Sequence, residues 1–132
     1  MASTSGPSRL TVEEILEAIG QLSLVEQREF QRRLAIRQAA NGNAESEEAA
    51  LVRTARAHLP ATAERRLRRL IARSERGQLT PKEVNDYRSL AQEAQRLDAA
   101  RALALAELAR RWGRPVQAIQ AEINAEGPTD DA

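Results

Sequence analysis

From Thr80 the chain carries every local signal that starts an α-helix, and then reaches Gly113 without a residue that would stop one. Thr80 is placed to cap, Pro81 fits the first helical position, where its missing N–H costs nothing, and Glu83 completes a capping box. A helix over 81–112 would be about 48 Å long at ~1.5 Å rise per residue. Tyr87, Leu90, Ala94, Leu97, Ala100, Ala104 and Leu108 recur along one side of it. A rod of that length dictates the architecture of a 132-residue chain, because the other elements must pack on it or be left without a core.

The elements before the rod are also helical in pattern. Val12, Ile15, Leu16 and Ile19 recur at helical spacing after Thr11, with Glu13 and Glu14 in the first turn and Gly20 where a C-terminal cap is expected. Ser23 with Glu26 is a second capping box and opens a helix whose apolar side holds Phe30, Leu34 and Ile36. Together these predict a short helical hairpin over 11–39. Residues 40–46, ANGNAES, read as a flexible linker. A third helix is expected over 47–58, stopped by Leu59-Pro60. A fourth is expected over 62–76, with Thr62 as N-cap, Gly77 as C-terminal cap, and Leu67, Leu70 and Ile71 buried. A short helix after Gly113 completes an all-α fold: a hairpin, two middle helices, one long helix and a short C-terminal helix. The helical bundle spans 47–124, and residues 1–10 and 125–132 are expected to be disordered ends.

Composition narrows the function classes. There is no cysteine, so disulfides and thiolate metal sites are excluded. No run approaches the ~18 apolar residues of a membrane span, and the N-terminus lacks the apolar stretch of a secretory signal. A cytoplasmic protein with no membrane role is the resulting expectation. The single histidine, His58, has no carboxylate near it in sequence and reads as a polar residue ending a helix. Glu13 and Glu14 point about 100° apart on a helix and so make a poor acid/base pair. No glycine-rich phosphate loop is present. The chain reads as no enzyme, with no cofactor, no metal and no small-molecule substrate.

Three segments suggest binding instead. Residues 99–109, AARALALAELA, are apolar almost all the way round, which requires neighbours on more than one face. Leu97, Leu103, Leu105 and Leu108 are the candidate apolar contacts to a partner protein, or to a second copy in a self-associated oligomer. Residues 51–80 carry eight arginines against two glutamates, and Arg65, Arg66, Arg69, Arg73 and Arg76 share much of one helical side. Such a basic face suits an acidic protein surface or nucleic acid, and is equally a solvated face.

The third segment, LARRWGRPVQAIQAEI, has Ala109, Gly113 and Ile119 at the spacing of a helix-turn-helix. The helix that would read DNA, VQAIQAEINAE, holds no cation. Major-groove helices bring cations to phosphates and bases. The chemistry therefore favours a short helix folding back on Leu108 and Trp112 through Val116, Ile119 and Ile123.

VEEILEAIGQLSLVEQREFQRRL, from Val12 to Leu34, resembles the opening of small bacterial all-helical antitoxin-like proteins. Their pattern is an EELLEAIxxL helix, a SPEEQ-type cap and a second helix, and Leu24-Val25 stand where proline and glutamate often do. The stretch from GQLTPKEVNDY to LARRWG is similar to their GxLTPEE helix ending in LARRxGxP. The resemblance implies a non-catalytic partner protein, an antitoxin held against a nuclease-type toxin, and assigns no functional residue. The rival expectation is a nucleic-acid-binding regulator that uses the arginine face or the Gly113 turn.

Overall fold

The structure, a computed structural model, describes residues 9–126. Among these there are six helices and no strand: α1 Val12–Gly20, α2 Leu24–Ala40, α3 Glu47–Arg56, α4 Ala61–Glu75, α5 Pro81–Trp112 and α6 Val116–Glu126. The chain divides into two compact units, Met1–Leu34 and Ala35–Ala132. The boundary falls inside α2 rather than at residues 40–46, because Ile36 and Ala39 belong to the core of the second unit.

In the first unit, capping sets the helix ends. The Glu14 N–H donates to Thr11 Oγ1 at 3.0 Å and the Thr11 N–H donates to Glu14 Oε1 at 2.9 Å. Ser23 and Glu26 close the same pair of bonds at 3.1 and 2.9 Å. Each box satisfies N–H groups that the start of a helix leaves orphaned. Gly20 is not a left-handed cap: it is the last helical residue, and Gln21 after it stays right-handed at φ −86. The turn is held instead by Gln27, whose Nε2 donates to the carbonyls of Ile19 and Leu22 at 3.2 and 3.3 Å.

The second unit is organised around α5, against which α3, α4 and α6 all pack. Its core joins Ile36 and Ala39 of α2, Ala49, Val52 and Ala55 of α3, Ala104, Leu105 and Leu108 of α5, and Ile119 and Ile123 of α6. Four of these ten residues are alanines, so the helices approach closely and the larger side chains fill the space between them. The expected side of the long helix is the sheltered one: Tyr87, Leu90, Ala94, Leu97 and Ala100 are half-buried, and Ala104 and Leu108 are buried. Thr80 and Glu83 form the predicted box, Pro81 opens the helix, and Gly113 ends it at φ 62, with its N–H donating to Ala109 at 2.9 Å.

Several boundaries differ from expectation. α3 stops at Arg56 rather than 58, where Ala57 turns extended, and its carbonyl accepts from Arg101 Nη2 of α5 at 3.1 Å. α4 begins at Ala61, directly after Pro60, so Thr62 lies within the helix and caps nothing. The φ of −56 at Pro60 already suits helix entry. Among the described residues of α4, Leu70 is buried, Leu67 is half-buried and Ile71 is exposed. Residues 41–46 are non-helical, with a turn at 41–42, Gly42 at φ 80 and Ser46 Oγ accepting from the Ala49 N–H. Ala125 and Glu126 are helical, which shortens the expected C-terminal tail. Its remainder, and the expected N-terminal tail up to residue 8, lie outside the described residues.

Candidate interaction surfaces

The four leucines proposed as apolar contacts do not share a surface. Leu108 is fully buried and Leu105 is 6% exposed, both inside the core, Leu97 is half-buried, and Leu103 is 74% exposed. Leu108 is therefore not available to a partner protein, and Leu105 shows only the small part of its surface that lines a cavity. The reason is angular: successive helical residues turn by 100°, so Leu103 and Leu105 point ~160° apart. The all-round apolar segment serves two ends. One side carries Ala104, Leu105 and Leu108 into the core, while Ala99, Ala102, Leu103 and Ala106 stay exposed within an arc of about 100°.

The arginine face is likewise divided. Arg66 Nη2 donates to Asp86 of α5 at 2.5 Å. Arg73 pairs with Glu83 of α5 at 3.2 Å and donates to the Gln78 carbonyl at 2.9 Å. The Thr80 backbone N–H, followed by the Arg73 charge, holds the Glu83 carboxyl below its usual range. Arg76 Nε donates to Gln78 Oε1 at 3.3 Å. Arg66 and Arg73 are thus cross-braces between α4 and α5. Arg65 and Arg69 are exposed and make no ion pair among the described residues.

At the far end of the rod, Arg111 bridges Glu107 at 2.8 Å and Glu47 of α3 at 3.0 Å, while Arg110 pairs with Glu107. Hydrogen bonds from Arg110, then Arg111, hold the Glu107 carboxyl down at about 2.

The Gly113 turn folds α6 back on the core. Ile119 is fully buried and Ile123 nearly so, in the same cluster as Leu108, with Trp112 packed beside them. Val116, also expected in that contact, is exposed. The outward side of α6 shows Gln117, Gln120, Ala121 and Asn124.

An apolar surface with no cover lies in the first unit. Among residues 9–34 none is buried, and Ile19, Leu22, Gln27 and Phe30 near the turn are half-buried. Val12 is 72% exposed, Leu16 58% and Val25 73%, and Leu10 and Leu24 are exposed as well. On α1 the apolar residues Val12, Ile15, Leu16 and Ile19 fall within about 100° of arc, and Glu13, Glu14 and Glu17 lie on the opposite side of the helix. No basic residue stands within α1. The first unit was legible as helices, but its lack of an internal core was not.

A second feature has no counterpart in the sequence reading. Arg56, His58, Arg101, Gln120 and Asn124 line one cavity of about 340 Å³ at the α3 end of the core. They come from three separate stretches of chain, 56–58, 101 and 120–124, so no local pattern could have grouped them. Among the described residues, no three histidine, aspartate or glutamate side chains come together as a metal site would need.

Comparison with protein-family models, with curated proteins and with solved structures finds no match.

Proposed function

We propose that this chain is a non-catalytic helical interaction module and that its first unit is the arm a partner protein covers. The observation that supports this is the state of residues 9–34: none is buried, and five of their large apolar side chains are more than half exposed. Each such side chain contributes ~1.5–3 kcal/mol when fully taken from water. A helix as short as α1, with nine residues, is marginal in water on its own propensity. Its capping box and apolar stripe suit a helix that becomes stable when covered.

The charge pattern selects the cover. A helix with one apolar side and no charged residues other than Glu13, Glu14 and Glu17 fits an apolar surface with cationic surroundings. A protein that handles nucleic acid carries such surroundings, which agrees with the inhibitor of a nuclease-type protein that the antitoxin-like resemblance implies. Direct binding of nucleic acid is the weaker reading. Two of the five arginines on α4 are held by carboxylates of α5, and α1 carries Glu13, Glu14 and Glu17 with no cation.

Amide hydrogen exchange of the full chain, with light scattering in parallel, tests the proposal. Amides of 12–20 are expected to exchange far faster than those of 104–123 in the monomer, and to gain protection when covered. Protection that rises with protein concentration would make a second copy the cover. Strong protection of α1 in a chain that stays monomeric at every concentration would overturn the proposal, because such an arm would need no partner.

A further inference from the structure

The cavity at the α3 end of the core has an apolar floor and a polar rim. Ala55, Leu105 and Ile123 form the floor and belong to the core of the second unit. Arg56 at the end of α3, His58 in the following loop, Arg101 of α5, and Gln120 and Asn124 of α6 make the rim. Gln120 and Asn124 are one helical turn apart and therefore point the same way. At about 340 Å³ the cavity is at the lower end of the range for small-molecule sites.

The rim is rich in donors. Arg101 has its guanidinium placed by two bonds, Nη2 to the Ala57 carbonyl at 3.1 Å and Nη1 to Asp98 at 3.3 Å. That leaves three of its five N–H groups uncommitted. Arg56 makes no ion pair among the described residues, so its planar fork is open. The two carboxamides add N–H donors as well as acceptors. His58 Nδ1 lies 2.9 Å from the Leu59 carbonyl, which can only accept, so Nδ1 carries a proton. Nε2 is then left to accept from a P–OH group or, when protonated, to donate. With Asp98 set against Arg101, the rim keeps one positive charge in excess. A carboxylate offers about four lone-pair sites, fewer than the available N–H groups, whereas the three terminal oxygens of a phosphomonoester take up more of them.

We propose that this cavity binds a small phosphomonoester, with the phosphate between Arg56 and Arg101 and an apolar or flat organic body over Leu105 and Ile123. The site is independent of the arm, since all its residues belong to the second unit. It departs from the expectation that the chain has no small-molecule partner, but it requires no turnover.

The test is an amide NMR titration of the full chain with inorganic phosphate, phenyl phosphate and adenosine 5′-monophosphate. Phenyl phosphate or the nucleotide is expected to shift Arg56, His58, Gln120 and Asn124 more strongly than inorganic phosphate does. Arg56→Gln, a change at a half-buried side chain, is expected to weaken binding about tenfold or more while leaving the spectrum of the core intact. Arg65→Gln on α4 is the matched control and is expected to bind as the parent does. Inorganic phosphate binding as tightly as the organic phosphates would support the anion contacts and remove the role of the apolar floor. Absence of saturable shifts at millimolar concentration of all three ligands would overturn the proposal. Equal binding by Arg56→Gln would overturn it as well.

Discussion

Replacing Leu108 and Leu103 by alanine, one at a time, tests how α5 is divided between core and solvent. Leu108 is fully buried among α3, α5 and α6 side chains, whereas Leu103, five residues earlier, is 74% exposed. Leu→Ala in a core costs ~2–5 kcal/mol, the upper part applying where neighbours cannot collapse into the space. Around Leu108 many neighbours are alanines, whose side chains cannot reach into a void, so a cost of about 3–5 kcal/mol is expected for Leu108→Ala. For a domain of this size each 1 kcal/mol moves Tm by roughly 4–8 °C, and the expected fall is therefore at least about 12 °C. Such a loss is a large share of the ~5–15 kcal/mol that holds a domain together. Leu103→Ala removes a side chain that water already reaches, and its effect is expected within ~0.5 kcal/mol, or a few degrees. Thermal unfolding of the full chain, followed by circular dichroism at 222 nm, measures both. Equal destabilisation by the two substitutions would refute the assignment of faces, and with it the account of why residues 99–109 are apolar all round.

Gly113→Ala is expected to lower stability by about 1–2 kcal/mol, since φ 62 is costly for any residue with a Cβ even though nothing crowds the position. Gly20→Ala, in ordinary helical geometry with open space around it, is expected to raise the helicity of α1 by about 0.5–1 kcal/mol; circular dichroism reads both. Thr80→Ala removes the acceptor for the Glu83 N–H at 3.2 Å and is expected to cost about 1 kcal/mol in urea unfolding. Glu107 has its folded pKa lowered from 4.5 to about 2, so its contribution to stability is complete above the ordinary carboxylate value and is lost as pH falls through that interval. Acid titration of Glu107→Gln should accordingly show a shallower loss of stability between pH 4.5 and 2 than the parent chain; an unchanged slope would mean that the Arg110 and Arg111 contacts do not persist in solution.

Much of the architecture is written in short sequence segments because capping acts within four residues. Ser23 with Glu26, Thr80-Pro81 with Glu83, and Gly113 each place a helix end without reference to anything distant. The 3.6-residue period likewise identifies the sheltered side of α5 from Tyr87 to Leu108. Periodicity fails where a segment is apolar on every side. In 99–109 it places Ala104 and Leu108 on the sheltered side but does not separate Leu103 from Leu105, and only the packing of α3 and α6 sends Leu105 inward and leaves Leu103 outside. The arginine pattern on α4 was visible too. Yet whether a guanidinium braces the fold or faces solvent depends on carboxylates 20 and 10 residues away, Asp86 for Arg66 and Glu83 for Arg73. The cavity between Arg56 and Asn124 exists only because α3, α5 and α6 meet at one end of the core. Helix ends and stripes follow from neighbours along the chain. Which stripe is covered, which charge is neutralised and which side chains surround a common space follow from neighbours across it, which tertiary packing alone supplies.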